Sequence, residues 1–329
     1  MNRLRPYLRP LTLRRCLNAV QCRLSYCLSR FRIVHVPHMP TFLSVEPANY
    51  CMLRCPACPV GMRQEQREAQ QMSMELFAKI LSEGAPYCHT LIFYFQGEPL
   101  LHKDLPEMIR MAHQQRLYSI VSTNAQLLDR NYAERLVAAG LDKIIVSIDG
   151  FTQETYEQYR IGGSLEKAIA ALRFLQEAKQ RQEANICIEL QCLRLSSNEQ
   201  QWAYTRKHYR EWGADRLVLK TAQFYDYAEG HPLMPTDDRY SRYHQTKDGH
   251  YHLRKRLRNR CYRLWSGAVV TTDGQVLPCC FDKDAAHAFG TLKDDTTLRE
   301  IWHSRQADAF RRQLLHHRKE IGICQNCTE

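Results

Sequence analysis

Residues 49–58 read NYCMLRCPAC and place Cys51, Cys55 and Cys58 in a CxxxCxxC array. The array directly follows Phe42–Val45, an apolar, strand-like run, so it belongs to the loop that leaves a strand. Three thiolates at this spacing can close round one metal centre from a single loop, but they leave a four-site iron-sulfur cluster one ligand short. An iron with an open position can bind and reduce a substrate or cofactor, whereas a centre fully closed by cysteine mainly stores electrons or holds structure. On spacing alone, a three-cysteine fragment of a zinc site stays open as the alternative.

Outward from this loop, strand-like and helix-like segments alternate. Strands are expected at 42–46, 90–95, 117–122, 143–148, 185–193 and 216–221, and helices at 73–83, 104–115, 130–139, 152–159, 164–182 and 198–212. Six strands each followed by a helix imply an α/β fold with a parallel, right-handedly wound sheet. In such folds reactive groups collect at the C-terminal ends of the strands, and the polar signatures fall there. The second strand ends in Gln96-Gly97-Glu98-Pro99, the third in Ser122-Thr123-Asn124 and the fourth in Ser147-Ile148-Asp149-Gly150. Glycine lets a backbone approach a ligand, and a glutamate accepts from an ammonium group. Ser122, Asn124 and Ser147 suit ribose hydroxyls or a carboxylate, and equally suit plain helix N-caps. Arg160 is a carboxylate partner near the end of the fourth strand.

CxxxCxxC after the first strand, GEP after the second and SIDG after the fourth, in this order, resemble the radical S-adenosylmethionine (radical SAM) superfamily over roughly residues 42–225. The resemblance implies a partial (β/α)6, TIM-like barrel in which Cys51, Cys55 and Cys58 hold a 4Fe-4S cluster and S-adenosylmethionine chelates the fourth iron. It also implies that Gly97 and Glu98 hold the methionine amino group, that Ser147 and Arg160 lie near the cofactor's polar atoms, and that Tyr50 and Met52 line the cluster. Reductive cleavage would then give methionine and a 5′-deoxyadenosyl radical, which takes a hydrogen atom from substrate.

Beyond residue 225 the βα rhythm stops. Residues 226–260 read as a long irregular connection. Cys261, Ala268–Val270, the Asp273-Gly274 turn and Val276–Cys280 suggest a β-hairpin flanked by Cys261 and Cys279; a helix is expected near 297–316, and Cys324 and Cys327 form a terminal CxxC. Together these make a closed four-thiolate site for zinc or iron-sulfur. The pattern, with Trp302 in EIWHS, resembles the SPASM/Twitch extension of radical SAM enzymes in a shortened, one-cluster form. That implies one auxiliary 4Fe-4S cluster on Cys261, Cys279, Cys324 and Cys327. In sulfatase-maturing relatives an aspartate base follows the cysteine that Cys279 matches. Here that position is Cys280, so Asp282, Asp149 and Cys280 stand as catalytic candidates, with Cys280 expected to be a buried thiol.

The chain thus divides into a basic amphipathic extension (1–40), a core barrel (41–225), a connection (226–260) and a cysteine-rich extension (261–329). Fourteen cysteines without a signal peptide or long apolar span suit a reducing cytoplasm. The net charge is +11, and the positive residues cluster: no acid precedes Glu46, and a second basic run lies at 254–263. Leu13, Leu17, Val20, Leu24, Leu28 and Phe31 recur at helical spacing between arginines. This pattern fits an interfacial membrane helix or a partner-docking helix. The simpler expectation is a helix that packs along the domain and shows its arginines to water. Cys16, Cys22 and Cys27 match no ligand loop.

The leading functional expectation is oxidation of a peptide or protein side chain, with the auxiliary cluster as electron acceptor and a flavodoxin or ferredoxin as reductant. A second is dehydrogenation of a sugar or aminocyclitol alcohol. A zinc-stabilised nucleic-acid-binding module is the remote alternative, because zinc binding leaves GEP and SIDG unexplained.

Overall fold

The computed structural model describes residues 5–64, 66–255 and 257–328; Arg3 and Arg256 of the basic runs lie outside them. Two N-terminal helices, α1 (Arg5–Leu8) and α2 (Leu13–Leu28), precede five βα units and a sixth strand. The units are β1 (Phe42–Val45) with α3 (Met74–Gly84), β2 (Thr90–Ile92) with α4 (Leu105–Gln114), and β3 (Tyr118–Thr123) with α5 (Arg130–Ala138). Next come β4 (Lys143–Ser147) with α6 (Gln153–Glu157) and α7 (Leu165–Arg181), β5 (Cys187–Arg194) with α8 (Trp202–His208), and β6 (Arg216–Thr221). The helices start where side chains can cap them: Ser73, Asp129 and Ser164 accept from the backbone N–H groups of Leu76, Tyr132 and Lys167. The helix expected at 198–212 is shorter than its pattern, because residues 196–201 form a 3-10 turn before α8.

Strands β1 to β6 run parallel in chain order, and their register sets the inner face. Ser122, Ile145, Glu189 and Arg216 lie in one row across β3, β4, β5 and β6. Alternation therefore sends Ser147, Lys143 and Lys220 to the same face. The opposite face buries Leu91, Val121, Ile144, Val146, Ile188 and Leu190 against Ile80, Ile109, Leu136 and Leu172 of the helices. Each such side chain contributes about 1.5–3 kcal/mol by leaving water.

The C-terminal part joins this sheet. After the hairpin β7 (Tyr243–Gln245) and β8 (Tyr251–Leu253) come α9 (Tyr262–Ser266), β9 (Gly267–Val270), β10 (Gln275–Leu277) and β11 (Gly290–Thr291). Strand β9 pairs parallel to β1, Phe42 opposite Gly267 and Val45 opposite Val270, and β10 and β11 add antiparallel beyond it. The chain ends in α10 (Leu298–Trp302), α11 (Arg305–His317) and α12 (Gly322–Gln325), so the single helix expected near 297–316 is broken at Ser304, which caps α11. The connection 226–260 is not wholly irregular. Its β7–β8 hairpin turns at Asp248-Gly249, with Gly249 at φ +88, and Tyr227 stacks on Tyr243 at 4.5 Å.

Helix α2 reverses the expected orientation. Arg15, Asn18, Cys22 and Ser25 are its buried residues, whereas Leu13, Leu17, Val20, Leu24, Leu28 and Phe31 are 37–78% exposed. The buried face is polar because it meets backbone ends. Arg15 donates to the carbonyls of Ala85 and Gln115 (2.9 and 2.6 Å), and Asn18 exchanges bonds with Met39 N–H (2.9 Å) and Met39 C=O (3.0 Å). A buried carbonyl needs a donor, and leucine offers none.

Glu46, at the end of β1, is fully buried. It accepts a bidentate pair from Arg67 (both 2.7 Å) and the Thr272 N–H (3.2 Å) beyond β9. Arg67→Met leaves that carboxylate uncompensated, and the expected outcome is a loss of about 3 kcal/mol in urea unfolding. Adding Glu46→Gln to the same chain should restore part of the loss.

Candidate active site

Cys51, Cys55 and Cys58 line one cavity of about 210 Å³ together with Gly97, Glu98, Ser122, Asn124, Ser147 and Arg160. It lies at the C-terminal ends of the parallel strands. Leu53, Val60, Gly61, Thr123 and Tyr159 complete the wall, and of these only Thr123 carried a sequence signal, as part of the polar end of β3. A larger cavity of about 870 Å³, beside Tyr7, Tyr118 and Asp142, sits at the opposite strand ends and contains none of the cysteines expected to bind metal.

Two glycines shape the cysteine loop. Gly97 adopts φ +67, and a Cβ there would stand 2.4 Å from the Ala48 carbonyl, so only glycine lets the end of β2 lie against the loop. The Glu98 N–H then donates to Tyr50 C=O at 2.9 Å. At Gly61 a Cβ would meet the backbone N and O of Cys55 at 2.5 Å.

The Glu98 side chain is buried and already engaged. It accepts from Thr123 Oγ1 (2.7 Å), Asn124 N–H (2.8 Å) and Leu100 N–H (3.1 Å), which fastens the end of β2 to the end of β3. The net shift of its pKa is upward, because burial outweighs these donors. Its carboxylate thus acts as a brace, a role that the acid's mere presence in GEP could not reveal. Asn124, held by that brace, directs its side-chain amide at Cys51 Sγ (3.4 Å) and Met52 Sδ (3.3 Å). Tyr50 receives a bond on its hydroxyl from Gln71 (2.6 Å).

Asp149 is also spoken for. Its Oδ2 accepts from Arg160 Nε and Nη2 (both 2.6 Å), and its Oδ1 accepts from Leu193 N–H (2.6 Å). Arg160, so fixed, brings Nη1 within 3.9 Å of Cys55 Sγ. With all its oxygens bonded, Asp149 positions Arg160 and is not a free base. Burial pushes the Cys51 thiol up to about 12 and raises that of Cys55, which Arg160 partly offsets. Without a metal these sulfurs hold their protons.

Cys261, Cys279, Cys324 and Cys327 gather at a second place, each close enough to another of the four to perturb its charge. Buried Arg318 stands among them. It donates to Cys327 Sγ at 3.4 Å and to the carbonyls of Arg258 and Arg260 at 2.9 and 2.8 Å. Burial raises the Cys324 thiol to about 11, and Arg318 opposes that shift. No sequence spacing pointed to Arg318. Asn326, inside the CxxC, donates to Phe224 C=O (2.6 Å) and accepts from the Tyr243 hydroxyl (2.9 Å). Tyr243 belongs to the apolar cluster of Leu53, Cys55 and Phe224, so the two cysteine groups share one packed wall.

Cys280 departs from the expectation of a buried thiol. It is half-buried beside Phe95, Val269 and Leu277, and it accepts from Arg263 Nη1 at 3.3 Å. Asp282 is buried, which raises its pKa; it closes its own turn through His287 N–H (3.0 Å), and its Oδ1 has no hydrogen-bond partner among the described residues. Across the inner face, Lys143 bonds Glu189 at 2.8 Å, with Arg216 at 3.6 Å, and the amine of Lys220 lies within electrostatic reach of Glu189, Arg263 and Cys280. Tyr225 senses both Cys58 and Cys280. Lys220 and Tyr225 thus both lie within electrostatic reach of Cys280.

The donor set fits iron-sulfur clusters. Two groups of thiols each have a guanidinium beside a sulfur, which offsets the charge the sulfurs take on when metal binds.

Residues 45–189 match the profile of the radical SAM superfamily, and residues 261–328 match that of SPASM, an iron-sulfur cluster-binding domain. The PqqA peptide cyclase of Granulibacter bethesdensis is 30% identical over 186 residues, 56% of this chain, and the chain spans about half (48%) of that relative's length. The PqqA peptide cyclase of Gluconobacter oxydans is 27% identical over 295 residues, 81% of this chain and 77% of that protein. Streptococcus suis SuiB bound to S-adenosylmethionine shares the fold with a TM-score of 0.63 and 14% identity, over 92% of this chain and 74% of that one. BtrN in complex with AdoMet and 2-DOIA gives 0.55 and 19%, over 88% and 94%. The family implies a 4Fe-4S cluster with S-adenosylmethionine, and the SPASM domain implies auxiliary iron-sulfur. The chain belongs to the radical SAM superfamily and carries a C-terminal SPASM domain.

Proposed function

We propose that this chain oxidatively modifies a peptide or protein side chain, using residues 41–225 for radical generation and residues 261–329 for electron acceptance. The observation that carries the reading is that the two cysteine groups share one packed wall, with Tyr225 within electrostatic reach of Cys58 and of Cys280, the neighbour of Cys279. The relatives named PqqA peptide cyclase support a peptide as the substrate.

In this reading Cys51, Cys55 and Cys58 hold the 4Fe-4S cluster that binds S-adenosylmethionine, and Cys261, Cys279, Cys324 and Cys327 hold one auxiliary cluster. When bound, the first cluster and its cofactor would supply hydrogen-atom abstraction from the substrate, and the auxiliary cluster would supply an acceptor for the electron left behind. A ferredoxin or flavodoxin returns electrons to the first cluster. Glu98 and Asp149 hold Asn124 and Arg160 against the first cysteine loop; Ser122 and Ser147 face the cofactor's polar atoms. Cys280 and Asp282 stand as proton acceptors, and of the two, the Cys280 sulfur faces the interior beside Arg263.

In this reading Lys220, on the inner face of β6, meets a carboxylate or another anionic group of the substrate.

The test is anaerobic reconstitution, reduction and assay of 5′-deoxyadenosine, with products read by mass spectrometry against peptide and aminocyclitol panels. Cys55→Ala is expected to abolish 5′-deoxyadenosine release. Cys324→Ala should retain uncoupled release while losing oxidised product. Turnover of an aminocyclitol with no peptide product would overturn the peptide reading. Lys220→Met is expected to raise KM roughly tenfold or more, the loss of one charge-assisted bond, while substrate-free cleavage stays unchanged; an unchanged KM would contradict the anionic-substrate reading.

A further inference from the structure

The exposed face of α2 is not accounted for by the chemistry of the barrel. On a wheel of roughly 100° per residue, Leu13, Leu17, Val20, Leu24, Leu28 and Phe31 share one narrow sector. Arg15, Asn18, Cys22, Ser25 and Ser29 occupy the opposite one, and only these are buried. The exposed sector continues into Leu11, Leu8 and Tyr7 on one side and Ile33 on the other, all of them also exposed. An apolar stripe of this length on a water-facing helix needs a cover.

Charge narrows the choice of cover. Arg14 and Arg23 border the stripe on its two sides, Arg30 and Arg32 follow its end, and no acidic residue occurs before Glu46. Pairing with a second copy would bring these arginines together with no local carboxylate to neutralise them. On α2 the stripe is the convex surface of a single helix. We propose that α2 and its flanks form an interfacial anchor that seats this chain on an anionic phospholipid surface, leucines in the acyl boundary and arginines among the headgroups.

The placement suits such an anchor. The polar face of α2 is bolted to backbone carbonyls before the first residues of β1, β2 and β3 (Met39, Tyr87 and Gln115), and Cys22 reaches Trp265 C=O (3.5 Å) before β9. These are the N-terminal strand ends, so the lipid lies beneath the barrel, and the cavity lined by Cys51, Cys55 and Cys58 is at the other end. No helix among the described residues is long and apolar enough to cross a membrane, so the contact is peripheral.

The experiment is cosedimentation of the cofactor-loaded chain with vesicles of phosphatidylcholine alone or mixed equally with phosphatidylglycerol. Binding is expected to the mixed vesicles and to weaken as salt screens the arginines. Leu17→Glu/Leu24→Glu should lower partitioning by at least roughly tenfold, with the near-ultraviolet dichroism and S-adenosylmethionine cleavage of the parent chain. Arg30→Gln/Arg32→Gln should weaken binding to the anionic vesicles alone. Absence of binding to mixed vesicles, or binding that both double variants retain in full, overturns the proposal. A dimer in sedimentation velocity that Leu17→Glu/Leu24→Glu dissolves, without vesicle binding, would assign the face to a second copy.

Discussion

The parallel pairing of β9 with β1 is the constraint on which the rest of the arrangement depends. Strand β1 delivers the loop of Cys51, Cys55 and Cys58, and the β9–β10 hairpin is flanked by Cys261 and Cys279. One ladder therefore sets where the two thiol groups stand relative to each other. Thr41 N–H to Ser266 C=O (2.7 Å) and Glu46 N–H to Val270 C=O (3.0 Å) extend it at both ends. Glu46 and Arg67 lock its upper end. Across the sheet, Asn326 and Tyr243 fasten the terminal CxxC to the wall behind Cys55. Such a ladder fixes the separation of the two groups, which a flexible linker between two domains would not do.

Buried charge is the second theme. Arg160 and Arg318 are held among thiols by partners that leave their orientation little freedom: Asp149 for the first, two backbone carbonyls for the second. Removing such cations from water is costly, and nearby anionic sulfur offsets the cost. The same logic holds on the inner face, where Glu189 answers Lys143 and Arg216 and lies within electrostatic reach of Lys220.

Much of this was legible in the residues. The six parallel strands are short apolar runs, and their C-terminal ends carry GEP, STN and SIDG, so the parallel sheet and the cavity's polar lining follow from periodicity and from where polarity interrupts it, while the barrel was implied by the family resemblance alone. Partners distant in sequence were not legible. Glu98 and Asp149 are conspicuous as acids, but only the fold shows that Thr123, Asn124, Leu193 and Arg160 saturate them. Arg318 and Tyr243 carry no local pattern. Helix α2 shows the limit most clearly: spacing identifies two faces, but which face is covered depends on whether the neighbouring surface offers apolar side chains or unpaired carbonyls. Here it offers carbonyls, so the polar face is the buried one.

The account's central claim is that one chain holds two distinct four-iron centres, one of them with an iron open to S-adenosylmethionine. Mössbauer spectroscopy of the anaerobically reconstituted chain, with iron counted on the same sample, tests it directly. The account predicts about eight irons per chain, with one iron site shifted when S-adenosylmethionine is added and the rest unmoved. About four irons, or a spectrum that S-adenosylmethionine leaves unchanged, would contradict it.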